Sequence, residues 1–244
     1  MTTIGKVALV TGAARRVGRA IALGLADQGY DVAFTYWSSE LEARELVTQI
    51  EGHGRRAIMV RADLTRPAVA VGAIERAVTV EFGRLDVLVN NASLYLAADL
   101  ASTTPELLHR LNAIHVEAPL LLCQRFEPML RAARGHVVNM VDLLAERPWP
   151  AYLPYCASKA GLWNLTLGLA RALAPEVTVN GIAPGVVEWP DDYPEAERAK
   201  YLKRVPLGRA GTAEDVAAVV RFLVTGGAYV TGQIVRLDGG RSIT

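Results

Sequence analysis

Three side chains within residues 137–162 have types and spacing suited to proton transfer: Asp142, Tyr155 and Lys159. Tyr155 and Lys159 stand four positions apart, and on a helix such residues share a face. A phenol and an ammonium would then project into the same space. Free tyrosine has a pKa of roughly 10, so at neutral pH it is a poor base and a sluggish acid. A nearby lysine charge favours the phenolate, lowers that value and makes the ring a useful proton donor or acceptor. Asp142 closes the apolar run 137–141, which reads as a buried strand, and is placed to hydrogen-bond the phenol or to carry a proton itself. Taken alone, a tyrosine with a lysine one turn on is more often a packed ring beside a solvated amine. The rest of the chain decides against that.

The glycine turn comes first. Residues 10–18 read Val-Thr-Gly-Ala-Ala-Arg-Arg-Val-Gly, between an apolar β-branched run and an amphipathic stretch. Such a turn lets backbone N–H groups and a helix N-terminus meet a pyrophosphate. Gly12 and Gly18 fall where a T-G-x-x-x-G-x-G pattern has its first and last glycines, with Arg16 in place of the middle one. Arg15 and Arg16 open a helix, where the macrodipole disfavours cations; a bound anion would account for both. The next apolar run ends Tyr36-Trp37-Ser38-Ser39, without a carboxylate. Folds that prefer NAD usually place an acid there for the ribose hydroxyls. Hydroxyls and Arg15 would instead welcome a 2′-phosphate, so the expected cofactor is NADP(H). Asp63, followed by Leu64, either accepts a bond from adenine or caps the helix that opens at Pro67.

These residues need elements to hold them. Buried strands are expected over residues 6–11, 31–36, 56–61, 85–90, 137–141, 177–182 and 232–237. Helices are expected over 19–28, 40–51, 67–82, 155–173 and 212–224, with a helical zone over 105–134 broken or kinked at Pro119 and Pro128. Strands that are continuously apolar and alternate with helices signify a parallel sheet covered on both faces. The expected fold is α/β: a Rossmann-type doubly wound parallel sheet in a single domain over residues 1–244. Residues 184–206 read as an irregular segment that lies over the site as a lid.

Composition narrows the function. The 244 residues carry 26 Lys+Arg against 25 Asp+Glu, so no nucleic-acid or membrane partner is expected. No apolar stretch reaches the ~20 residues that span a bilayer, and the first residues lack a signal-peptide pattern. Cys123 and Cys156 form neither C-x-x-C nor a zinc spacing, and His53, His109, His115 and His136 show no ligand spacing. A cytoplasmic protein with reduced cysteines and no metal is expected.

Thr11-Gly12, Asp63, Asn90-Asn91-Ala92, Tyr155-x-x-x-Lys159, Pro184-Gly185 and Asp238-Gly239-Gly240 occur in an order that resembles the short-chain dehydrogenase/reductase family across nearly the whole chain. The resemblance implies one Rossmann domain, a nicotinamide cofactor, hydride transfer to a small molecule and a homotetramer. It also implies cofactor contacts at Gly12, Arg15, Arg16, Val17, Tyr36 to Ser39, Asp63, Leu64, Asn91, Ala92, Ser93, Tyr155, Lys159, Pro184, Gly185 and Val187. Most members carry serine at Asp142, glycine at Arg16 and glycine at Ser93. With these departures the chain is similar to the pteridine reductase branch, including bacterial dihydromonapterin reductases. That likeness implies a pterin or folate-like substrate touching Arg16, Ser93, Tyr95, Asp142 and Tyr155. Tyr95 is either the aromatic that sandwiches a pterin or an ordinary loop ring. The family's helix asparagine is matched by His115, with Asn112 one turn away.

Reducing a pterin C=N needs a proton on nitrogen, which a carboxylic acid of raised pKa can deliver and a serine cannot. The expected activity is therefore NADPH-dependent pterin reduction. The alternatives are a carbonyl reductase, for example of 3-oxoacyl thioesters, and a catalytically silent dinucleotide-binding module.

Overall fold

Alternation along the strands sorts their side chains onto two faces. Val7 and Leu9 of the first strand enter one core, and Ala8 and Val10 enter the other. A computed structural model, which describes residues 5–189 and 194–244, contains seven parallel strands in one sheet. They are β1 (Val7–Val10), β2 (Asp31–Tyr36), β3 (Ala57–Arg61), β4 (Val87–Asn90), β5 (His136–Met140), β6 (Thr178–Pro184) and β7 (Ile234–Leu237). Their spatial order is β3-β2-β1-β4-β5-β6-β7.

The helices are α1 (Arg16–Asp27), α2 (Glu40–Gly52), α3 (Pro67–Glu81), α4 (Pro105–Asn112), α5 (Ala118–Ala133), α6 (Leu153–Leu173), α7 (Glu195–Leu202) and α8 (Ala213–Thr225). Ile21 and Leu25 of α1, Leu46 and Ile50 of α2, and Val216 and Val220 of α8 cover one face. Ile74 and Val78 of α3, Leu122 and Phe126 of α5, and Leu169 and Leu173 of α6 cover the other. The inner strands are thus buried on both sides, which is why they read as unbroken apolar runs. The order reverses between β1 and β4. A crevice opens there, outside the carboxyl ends of the strands.

The structure corrects the expected elements in two places. The segment 105–134 is not broken by Pro128, which sits inside α5; instead α4 and α5 are joined by a π-helical turn, Ala113–Glu117. Pro119 has no N–H to give the carbonyl four residues back, and the chain widens just before it. The expected lid, 184–206, is not irregular throughout. β6 runs on to Pro184, and α7 occupies Glu195–Leu202 behind Pro194. Residues 190–193 of that segment lie outside the described residues. Among the described residues no helix is long and apolar enough to cross a membrane.

Candidate active site

The crevice is a cavity of about 1070 Å³. Gly12 closes β1 with φ +64, in the left-handed region that glycine tolerates. A Cβ added there would lie 2.9 Å from Ala92 Cα, and one on Gly18 would lie 2.5 Å from the Gly12 carbonyl oxygen. The turn therefore needs both glycines for close backbone approach. Asn91 fastens it: its Nδ2 donates to the carbonyls of Thr11 (2.9 Å) and Gly12 (3.1 Å). Thr11 Oγ1 accepts from the Asn91 and Ala92 backbones, and Thr35 Oγ1 accepts from Gly12 N–H at 2.9 Å. Thr35 carries no signal in the sequence beyond a hydroxyl in a largely apolar strand.

Arg16 has φ 55, so it keeps the left-handed backbone for which most family members use glycine. The two arginines are not the unpaired cations expected at this turn. Arg15 meets Glu42 of α2 at 3.7 Å, and Arg16 pairs with Glu188 beyond β6. Each arginine thus has a carboxylate beside it. Arg15 and Glu42 are both exposed, so the pair is weak and exchangeable. Val17, Tyr36, Trp37, Ser38, Ser39, Asp63 and Leu64 line the same end of the cavity. Arg61 lies 5.0 Å over the Trp37 ring, a cation that the sequence reading missed. Asp63 does not cap α3; its carboxylate accepts from Thr65 N–H (3.0 Å) and Thr65 Oγ1 (2.7 Å), and Arg66 holds the cap position without a side-chain bond.

At the other end, α6 presents Tyr155 and Lys159 while β5 and the turn after it present Asp142. The Tyr155 hydroxyl donates to Asp142 Oδ2 at 2.6 Å. Asp142 Oδ1 accepts from Leu144 N–H at 2.7 Å and so also caps the one-turn helix Leu143–Ala145. Removal from water holds the Asp142 carboxyl above the usual carboxylate range, against the opposing pull of Tyr155, Leu144 and Lys159.

The expected lowering of the tyrosine pKa is overturned. Burial first, then the Asp142 charge, push the Tyr155 phenol well above its ordinary value. Lys159 does not oppose this: its ammonium donates to the Met140 carbonyl at 2.8 Å and lies 5.8 Å from the Tyr155 ring. Burial lowers Lys159 itself to about 8. The phenol therefore stays protonated at neutral pH, a proton donor beside a carboxyl that burial holds above its usual range.

His115, on the π-helical turn, is buried, whereas Asn112 points into solvent. Leu94 N–H approaches His115 Nε2 at 3.3 Å and Ser93 Oγ lies 2.8 Å from it, so Nε2 is the accepting nitrogen. Nδ1 then carries the hydrogen toward Ser158 Oγ (2.8 Å), which donates to the Tyr155 carbonyl at 2.8 Å. Burial and the Lys159 charge hold His115 well below its usual pKa, so the ring is neutral. Both nitrogens are engaged, and the ring positions the Ser93 loop and the start of α6.

Tyr95 is half exposed. It stacks on Tyr152 (centroids 4.5 Å apart) and meets the Tyr155 ring edge-on at 4.9 Å, at the cavity wall. Pro184, Gly185 and Val187 line the cavity beyond β6, as do Ala92 and Ser93 beyond β4. Among the described residues no cluster of three or more His, Cys, Asp or Glu could hold a metal ion.

A family model described as enoyl-(acyl carrier protein) reductase matches residues 12–242. The chain is 35% identical over 248 residues to a 3-oxoacyl-(acyl-carrier-protein) reductase of Staphylococcus aureus strain Mu50, covering 96% of this chain and 97% of that one. Among solved structures it is similar to a blue fluorescent protein from a metagenomic library in complex with NADPH (TM-score 0.91, 37% identity, 97% and 98% of the two chains). It is also similar to a short chain dehydrogenase of Burkholderia cenocepacia J2315 in complex with NADP (TM-score 0.91, 38% identity, 97% and 98%).

Proposed function

The chain belongs to the short-chain dehydrogenase/reductase family, and from that premise we propose that it is an NADPH-dependent carbonyl reductase acting on a 3-oxoacyl thioester or a close relative. The observation that carries this reading is the buried Tyr155 phenol, kept protonated at the cavity floor and 2.6 Å from the Asp142 carboxyl. A site that holds a phenol rather than a phenolate is built to give a proton, which suits reduction.

The cofactor is NADP(H), which supplies hydride when bound. The cradle at Gly12 and Gly18 fits its pyrophosphate. Ser38, Ser39 and Arg15 would take the 2′-phosphate, since no carboxylate ends β2. Tyr155 gives its proton to the carbonyl oxygen as the carbonyl carbon is reduced, leaving an alcohol. Asp142 accepts the phenol's hydrogen bond and orients it, a role that a serine hydroxyl could also fill. Lys159, tied to Met140, stiffens the floor between β5 and α6.

One observation favours a second reading, reduction of a pterin C=N. Asp142 stands where most family members carry serine, and a carboxyl that holds a proton could protonate a ring nitrogen directly. Asp142→Ser separates the two. In the carbonyl reading, acetoacetyl-thioester turnover survives the change. In the pterin reading, dihydropterin turnover falls by ~10²–10⁴-fold. Loss of thioester turnover in this variant would count against the carbonyl reading.

A further inference from the structure

We infer that the cavity ends in a subsite for an anionic tail of the substrate, formed by Arg204 and Arg241 beside Tyr201. The inference rests on the reductase reading and names a property of its substrate. Four carboxylates line the main cavity, and each is occupied. Asp63 is held by Thr65, Asp142 by Tyr155, Glu146 by Arg236 at 2.7 Å, and Glu188 by Arg16. The cations are not matched in the same way. Arg147, Arg204 and Arg241 also line the cavity; Arg147 shares the charge of Glu146, and neither Arg204 nor Arg241 forms an ion pair with a carboxylate among the described residues.

These three meet around the C-terminal turn. Arg147 donates to the Ser242 carbonyl at 2.5 Å, and the Arg204 carbonyl accepts from Thr244 Oγ1 at 2.8 Å. The Arg241 guanidinium lies 5.5 Å over the Tyr201 ring, and its Nε is buried with no hydrogen-bond partner among the described residues. A buried donor without a partner is costly unless a ligand supplies an acceptor.

Arg204, Arg241, Tyr201 and Trp149 also line an adjoining hollow of about 260 Å³. Its one lysine, Lys200, is neutralised by Glu197 at 2.6 Å. Among the described residues, neither guanidinium fork of the hollow is paired with a carboxylate, and Trp149 and Tyr201 give it an aromatic wall. That chemistry suits a phosphate or carboxylate on a chain leading away from the reacting double bond.

The test compares substrates that share a reacting group and differ in the tail. Acetoacetyl-coenzyme A is set against acetoacetyl-N-acetylcysteamine, and dihydrofolate against dihydrobiopterin. In whichever pair the enzyme turns over, KM for the anionic member is expected to be about tenfold lower or better. The double variant Arg204→Gln, Arg241→Gln is expected to erase that ratio. Equal KM values within the pair, or a ratio that survives the double variant, would overturn the subsite. Turnover of the pterin pair alone would sink the carbonyl reading and still test the subsite. If neither pair reacts, the function reading fails, and calorimetric titration of pyrophosphate into NADP-saturated protein decides. Saturable binding lost in the double variant supports the subsite; no saturable binding overturns it.

Discussion

Tyr155, Lys159 and Asp142 were legible from spacing and residue type, and the structure brings them together at one cavity floor. The direction of the tyrosine shift was not legible. It depends on how deeply the ring is buried and on where the ammonium points, and neither is written in Y-x-x-x-K. Lys159 is committed to a backbone carbonyl and is itself buried, which lowers it from 10.5 to about 8. That shift has a stability consequence of definite sign. Below about pH 8 both folded and unfolded chains carry the charge, and the native state bears the full desolvation cost. Between about 8 and 10.5 the unfolded chain binds more protons, so stability rises with pH. Lys159→Met is therefore expected to raise the melting temperature at pH 7, with a gain on the order of 3 kcal/mol at most. The gain should shrink toward pH 10.5. Thermal denaturation of both proteins across that range checks it, and a pH-independent gain would contradict a buried charge. The arginine pair shows the converse limit. Two cations at a helix start suggested an anion, but their partners Glu42 and Glu188 are 27 and 172 residues away in sequence.

At the scale of elements, strands were easiest to read, because burial on both faces makes their runs continuously apolar. Helix α7 was missed because none of its residues is buried, so no apolar period marks it. Its signals are local: Pro194 before it, and Glu195 and Glu197 in its first turn. The π-helical turn was missed for another reason, since its widening shows only in backbone hydrogen bonds. π-Helical turns are frequent at functional sites, and this one carries His115 into the gap between the Ser93 loop and α6. His115→Leu would leave buried hydroxyl and amide partners unmatched. It is expected to cost about 1–3 kcal/mol and to lower kcat more than it raises the KM for NADPH, because α6 would shift under Tyr155. His115→Gln should recover part of both. Unfolding curves together with steady-state kinetics check this, and an unchanged melting temperature for His115→Leu would refute the positioning role.

At the scale of the molecule, sheet type and two-sided covering followed from the alternation of elements, and the glycine turn located the crevice. Substrate class did not follow. Residue identities at Asp142, Arg16 and Ser93 pointed to a pterin, while a relative matched over nearly its full length is named for 3-oxoacyl reduction. A handful of substituted positions weighs little against whole-chain similarity unless the chemistry is measured. Assembly remains a proposal. Leu108, Leu120 and Leu167 are exposed on α4, α5 and α6, and β7 is a partly exposed edge strand. Such surfaces invite symmetric pairing, and family resemblance implies a homotetramer. Light scattering at micromolar concentration should give four times the chain mass; a monomer mass would exclude it.

The most direct test of the central claim is the rate of NADPH-dependent acetoacetyl-thioester reduction by the native enzyme and by Tyr155→Phe. The account predicts measurable turnover by the native enzyme and a loss of ~10²–10⁴-fold in kcat for the variant, since the phenol supplies the proton. A native enzyme that leaves the thioester untouched, or a variant that reduces it at the native rate, would contradict the account.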